Sequence, residues 1–407
     1  MQYQQRCHTL TVPLNYADPQ GVQLEIFARE IFLSQHHQAP LLLYLQGGPG
    51  MACPRDIQHS VWLKTLLQHF RVLLLDQRGT GRSSKICIDQ PQVSAETLQY
   101  LRADAIVQDA EQLRQRCFAG QQWTVLGQSF GGFAAVHYLC AAPAALQSVL
   151  ITGGIPPLPT RSVSNIYSHL LEGIRRRNQQ LYREFPHLID TVRRVSDVLQ
   201  EQHYPLGAVD YLTVERLRDV GILLGADQGV YQLAQLFDDP FVDRGARQLH
   251  WGFVKALTNQ VSYETHPLYA VLHESIYCHG FASQWAADRV LQADADFTLS
   301  TEQPVYFYGE TIRRSMFTEY GRLQPFRQAA EQLAAKTDWP MLYDMQRLAN
   351  NTVPLKALLY QSDYYVDYRL AREMAAAIGN CTVITSRRWQ HDALRVHAKA
   401  VLRSLLA

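Results

Sequence analysis

Long apolar runs are missing from this chain. Stretches such as APLLLYL (39–45) and RVLLLD (71–76) fall far short of the roughly 20 residues that a membrane-spanning helix needs. An excess of one charge is missing too. Lys and Arg total 38 against 37 Asp and Glu, a formal net charge of +1, so neither nucleic acid nor an anionic membrane is expected as a partner. No C-x-x-C pair occurs among the seven cysteines, Cys7, Cys53, Cys87, Cys117, Cys140, Cys278 and Cys381. Their odd number and scatter suggest neither a disulfide framework nor a zinc site, and a cytoplasmic protein with reduced thiols is the plain expectation. The opening MQYQQRCHTLTVPLNY has no continuous apolar core and no small-residue cleavage site, so no secretory signal is expected. No internal repeat or low-complexity tract stands out.

What is present is a chain of 407 residues, 47% hydrophobic and 18% charged. That is long enough for one large domain with an elaboration, or for two domains. Its first 155 residues alternate strand-like and helix-like stretches. LEIFAREIFL (24–33) reads as an early strand. APLLLYLQGG (39–48) and FRVLLLDQRG (70–79) read as strands buried on both faces. Between them SVWLKTLLQHF has helical spacing, and TLQYLRADAIVQDAEQLRQRC forms one helical stripe through Leu98, Leu101, Ala105, Ile106, Leu113 and Cys117. Strand WTVLG, helix GGFAAVHYLCAA and strand LQSVLITGG follow. This βαβα rhythm indicates a mainly parallel sheet covered on both faces.

The rhythm stops at GGIPPLPT, and from about 160 to 345 the pattern is mostly helical. It resumes with VPLKALLYQSD, a helix over about 367–378, the strand CTVITS and a last helix HDALRVHAKAVLRSLLA. The expected division is an α/β core in two parts, 1–155 and 346–407, interrupted by a helical cap over 156–345.

Gly127-Gln128-Ser129-Phe130-Gly131 has the G-x-S-x-G spacing of a nucleophile elbow. By itself this is weak, since chance places it in about one chain of this length in ten to twenty. Here a strand precedes it and a helix follows, as the motif requires. At that helix start, the Phe130 N–H can hold a developing oxyanion. LQGGPG (45–50), just after the first central strand, offers the Gly47 or Gly48 N–H as a second donor. For this architecture the acid and base follow the serine in the order Asp, His. Asp363 closes the strand KALLYQSD and is preferred to Asp367, which suits capping the next helix. His391 follows the last strand, whereas His397 falls inside the final helix.

With LQGGPG, RVLLLDQRGTGRSS, RADAIVQDAE, VLGQSFGGF, HESIYCHG, DWPMLYD, NNTVPLKALLY and QHDALR in that order over most of the chain, the sequence resembles the longer form of the prolyl aminopeptidase (proline iminopeptidase) family, which has the α/β-hydrolase fold. The resemblance implies hydrolysis of an N-terminal residue, preferentially proline, from peptides, with no metal or organic cofactor. It implies a triad of Ser129, Asp363 and His391, and it gives amine recognition to Glu274 of HESIYCHG. A second acidic segment, YGETIRRSMF, makes Glu310 a further candidate. An aminopeptidase needs such a carboxylate: at 4 Å and an effective dielectric near 20, it attracts the substrate ammonium by about 4 kcal/mol before desolvation. Cys278 could line the same cleft, although a buried structural cysteine is the simpler reading.

Three positions depart from the family pattern. Arg313-Arg314-Ser315 replaces a Pro-Trp pair, Ser362 an acid, and Ala393 a glycine. None removes a catalytic group, but the first could reshape the substrate site. The resulting expectation is a cytoplasmic serine exopeptidase acting on small peptides with a free N-terminus. One rival is an esterase or arylamidase with another acyl preference, favoured if Glu274 points away from the serine and leaves nothing to bind an amine. The other is a non-catalytic binding protein on the same fold. The sequence does not set the oligomeric state.

Overall fold

The computed structural model describes residues 2–86, 93–202, 204–207, 210–243, 245, 247–263 and 265–407; Cys87 lies outside them. Eight strands form the central sheet: β1 (Tyr3–Pro13), β2 (Gln23–Leu33), β3 (Leu41–Leu45), β4 (Arg71–Asp76), β5 (Trp123–Gln128), β6 (Leu146–Thr152), and, near the C-terminus, Leu355–Tyr360 and Cys381–Ser386. A two-stranded ladder, β7 (Tyr204–Pro205) with β8 (Tyr211–Leu212), lies between, so the last two sheet strands are β9 and β10. Sheet order is β1-β2-β4-β3-β5-β6-β9-β10. Within this sheet the β1/β2 and β2/β4 pairs are antiparallel and the rest are parallel; β7 and β8 pair antiparallel.

The central strands are apolar at nearly every position because both faces are covered. In β3 and β4, Leu41, Leu43, Leu45, Leu73 and Leu75 face the larger core, with α3 (Ala103–Cys117) and α4 (Phe130–Ala141). The intervening Leu42, Tyr44, Val72 and Leu74 face a second core with α1 (Val61–Leu66) and the C-terminal helix Ala398–Leu406. This is the period-two alternation of a strand, with apolar side chains on both sides.

Three local features differ from the sequence expectations. β1 was unforeseen, because its polar, half-exposed YQQRCHTLTVP carries little of the apolar signal of a strand. The stripe from Leu98 to Cys117 is two helices, Ala95–Leu98 and α3, separated at an extended Arg102. There the chain turns the Arg102 guanidinium inward to the carbonyls of Cys278 and Pro340, over the Trp339 ring. The last helix is divided at His397 into Ala393–Val396 and Ala398–Leu406; that imidazole reaches Asp227 and stacks on Trp389.

The loop after β4, DQRGTGRSS, is a cross-brace. Asp76 accepts from the backbone N–H groups of Cys53 and Arg82. Gly81, at φ +57°, leaves no room for a Cβ, which would stand 2.2 Å from the Asp76 carboxylate. Arg78 is buried and holds Asp109 of α3 with two nitrogens, while also donating to the carbonyls of Leu14 and Tyr100. One guanidinium thereby ties the N-terminal hairpin, the sheet and α3 together.

Between Thr152 and Leu355 the regular elements among the described residues are helices, beginning with the long α5 (Val163–Glu184), and the short β7 and β8, joined by irregular segments. This insertion lies over the carboxyl ends of the parallel strands, where loops leave room for a site.

Candidate active site

Ser129 sits between β5 and α4 with φ 54° and ψ −127°, a backbone conformation that costs energy for any residue other than glycine. Surrounding backbone bonds hold it there: the Ser129 N–H donates to Thr152 O at 3.2 Å, and Gly132 N–H donates to Ser129 O at 2.7 Å. The turn is possible because Gly131 has no side chain; a Cβ there would lie 1.9 Å from Leu45 O. Phe130 is the first residue of α4, where a helix N–H has no carbonyl behind it within the helix. Gly47 and Gly48 line the same cleft as Ser129.

The structure brings together the three residues singled out from order and position. His391 Nε2 lies 2.9 Å from Ser129 Oγ, and His391 Nδ1 lies 2.7 Å from Asp363 Oδ2. The other Asp363 oxygen accepts from the N–H groups of Tyr365 and Val366, which fixes the carboxylate rotamer. With Nδ1–H donating to Asp363, Nε2 is left to accept from the serine hydroxyl. Burial pulls the His391 pKa down, but the Asp363 carboxylate, its hydrogen bond and the Glu310 charge outweigh that, so the net shift is upward. The two alternatives do other work. Asp367 caps the helix Tyr368–Ala376 through Arg369 and Leu370 N–H, and His397 is engaged with Asp227.

The two glutamates separate. Glu274 is buried and directs its carboxylate at the N–H groups of Ala286 and Ala287, at 3.2 and 2.8 Å, capping the helix Ala286–Ala293. It is not among the residues lining the catalytic cleft. Glu310 does line that cleft, a cavity of about 380 Å³ shared with Ser129 and His391. Its Oε1 accepts from Tyr269 OH at 2.5 Å, and His273 Nε2 lies 3.9 Å from Oε2. Burial is the main reason its pKa rises to about 7, with the opposing pull of His391 and of the Tyr269 hydrogen bond. His273 is buried and pushed down to about 4, so it is neutral and does not compete as a counter-ion. Cys278 is fully buried, its thiol pushed up to about 12 mainly by desolvation, and it too lies off the cleft.

Arg313-Arg314-Ser315 does not line the catalytic cleft. Its side chains line a separate cavity of about 710 Å³ within the insertion, with Arg218 and Tyr308. Arg313 pairs with buried Asp219 at 2.7 Å, and Asp219 also accepts from Tyr320 OH.

Sequence reasoning missed the tyrosines. Tyr365 packs its ring edge-on against His391, centroids 4.7 Å apart, and donates its hydroxyl to Ile222 O. Tyr364 OH reaches Gly221 O at 2.8 Å. Asp392, next to the histidine, accepts from Asp227 N–H at 3.0 Å. Segment 221–227 of the insertion is therefore pinned to the loops that carry Asp363 and His391, and Ile222 and Ala226 form part of the cleft wall. Adjacency of Tyr364 and Tyr365 to Asp363 was the one available signal. Among the described residues, no three His, Cys, Asp or Glu side chains gather as a metal set, and no helix is long and apolar enough to cross a membrane.

Residues 40–198 match the α/β hydrolase fold family. The chain is 36% identical over 407 residues to a proline iminopeptidase of Aeromonas sobria, the match covering 98% of this chain and 95% of that one. It is 32% identical over 412 residues to the proline iminopeptidase aneH of Aspergillus aculeatus, covering 97% and 91%.

Proposed function

The chain belongs to the proline iminopeptidase family, and from that premise we propose that it releases N-terminal proline from short peptides by way of a Ser129 acyl-enzyme. His391 takes the Ser129 proton as Oγ attacks the prolyl carbonyl, then returns it to the departing amine. Asp363 holds the imidazole and stabilises its cation. The Phe130 N–H, with that of Gly47 or Gly48, receives the oxyanion. Water then repeats the sequence on the acyl-enzyme. No step calls for a metal or organic cofactor.

The amine is read by Glu310. The observation that carries this reading is the unbroken Asp363–His391–Ser129 contact opening into a cleft with the half-buried carboxylate of Glu310 in its lining. Glu274 is bonded to the Ala286 and Ala287 N–H groups and does not line the cleft, which by itself would favour an esterase; in this reading Glu310 supplies the acid in its place. The insertion, residues 156–345, serves as a cap that limits the cleft to small substrates, and the scattered, odd cysteines support a cytoplasmic setting.

The test compares chromophore release from prolyl, alanyl and N-blocked prolyl arylamides, with Ser129→Ala as control. Rapid turnover of the free prolyl substrate only, abolished in the serine variant, is expected. Equal turnover of free and blocked substrates sinks amine recognition; full activity of Ser129→Ala sinks the mechanism.

A further inference from the structure

Among the described residues the catalytic cleft contains one permanently cationic side chain, Arg395. It follows His391 by four residues across the start of the short helix Ala393–Val396, so it stands about one turn beyond the imidazole, at the exposed rim. Among the described residues its guanidinium has no carboxylate or hydrogen-bond partner, while its charge bears on His391 and Tyr44. The neighbouring acids are engaged elsewhere: Asp392 accepts the Asp227 N–H, and Asp227 meets His397. The remaining ionisable cleft residues among those described are Glu310, His391, Asp392, His266 and two tyrosines besides Tyr263. Burial lowers the His266 pKa, so it adds no second cation at neutral pH.

We propose that Arg395 is a subsite for the C-terminal carboxylate of the substrate, which makes di- and tripeptides the preferred class. This rests on the aminopeptidase reading above. The departing nitrogen must lie on His391 Nε2 to collect its proton. In a dipeptide the leaving residue's carboxylate is only two bonds past that nitrogen, within reach of a long side chain rooted one turn away. Each further residue carries the carboxylate about 3.3–3.6 Å outward, so the contact fades beyond the tripeptide. Glu310 and Arg395 then read opposite ends of a zwitterion, with Ser129 between them.

The experiment measures kcat/KM for Pro-Ala and for its C-terminal amide, Pro-Ala-NH₂, in the wild type, Arg395→Gln and Arg395→Lys. The readout is the acid-to-amide ratio within each enzyme, so any general change in activity or in the imidazole divides out. The wild type is expected to favour the free acid about three- to tenfold, as suits a partly exposed charge pair. The preference should disappear in Arg395→Gln, persist in part in Arg395→Lys, and shrink in 1 M salt. Lengthening the peptide to five residues should erase it. An acid-to-amide ratio that is the same in wild type and Arg395→Gln overturns the subsite. Should Arg395→Gln fail to fold, an unchanged wild-type ratio across peptide lengths and salt overturns it equally. Cleavage of prolyl arylamide without discrimination between acid and amide removes this proposal alone; no cleavage of any prolyl substrate removes the aminopeptidase reading with it.

Discussion

Glu310 is a carboxylate largely withdrawn from the water that would normally solvate it, and two consequences follow at that one residue. Its pKa of about 7 against an ordinary 4.5 means that the folded chain binds more protons than the unfolded one between those values. Stability therefore falls as pH rises from about 4.5 to 7, by about 2–3 kcal/mol. Glu310→Gln should lack that decline, measured by urea unfolding at pH 5 and pH 8. The same variant should lose about 10²-fold in kcat/KM on free prolyl substrates, mainly through KM. Because the Glu310 anion helps raise the His391 pKa, the acidic limb of its pH–rate profile should move to lower pH. In the wild type the two groups titrate as a coupled pair. A limb that stays in place would show that Glu310 and His391 do not communicate. Gly131 provides a second test. A Cβ placed 1.9 Å from Leu45 O forces the elbow apart, so Gly131→Ala should cost about 2–4 kcal/mol in urea titration and most of the activity.

Between elements, the decisive contacts join the segment Val220–Gly225 of the insertion to the loop after β9. Tyr364 and Tyr365 donate to the carbonyls of Gly221 and Ile222, and Gly225 lies so close to the Tyr365 ring that a Cβ would stand 2.1 Å away. Replacing both tyrosines by phenylalanine keeps the rings, including the one on His391, and removes the hydroxyl donors. At about 1 kcal/mol for each net hydrogen bond, amide exchange across 220–227 should quicken about 10- to 30-fold while β5 and β6 stay protected. Equal protection in both proteins would mean that packing alone holds the cap there. The helix break at Arg102 is a second such contact, made to Cys278 O and Pro340 O: sequence periodicity ran straight through it, because a stripe records which face is apolar and not whether a buried side chain needs the backbone to turn.

For the molecule as a whole, the Arg78–Asp109 pair links the N-terminal hairpin, the sheet and α3 while both side chains are almost fully buried. Removing one partner leaves the other charge desolvated and alone. Asp109→Asn should therefore destabilise the chain by about 3–5 kcal/mol in urea unfolding, with the Asp363–His391–Ser129 geometry intact and residual activity per folded molecule unchanged. A loss below 1 kcal/mol would mean that water reaches the pair. The parallel strands of this sheet were legible because both-face burial makes them continuous apolar runs, whereas β1, covered on one side and polar on the other, left little trace.

Ser129, Asp363 and His391 could be chosen from sequence because strand-turn-helix order dictates which loops share one edge of a parallel sheet, and each of the three follows a readable strand. Glu274 against Glu310 could not be chosen that way. Both lie in an irregular helical insertion, where neither periodicity nor spacing says which way a carboxylate points. The packed chain bonds Glu274 to two helix N–H groups and leaves Glu310 in the cleft, which is what supports the proposal for Glu310. Local sequence carries the strand order; the direction of a single side chain depends on contacts outside its own element, 12 and 13 residues away for Glu274 and 41 for Glu310.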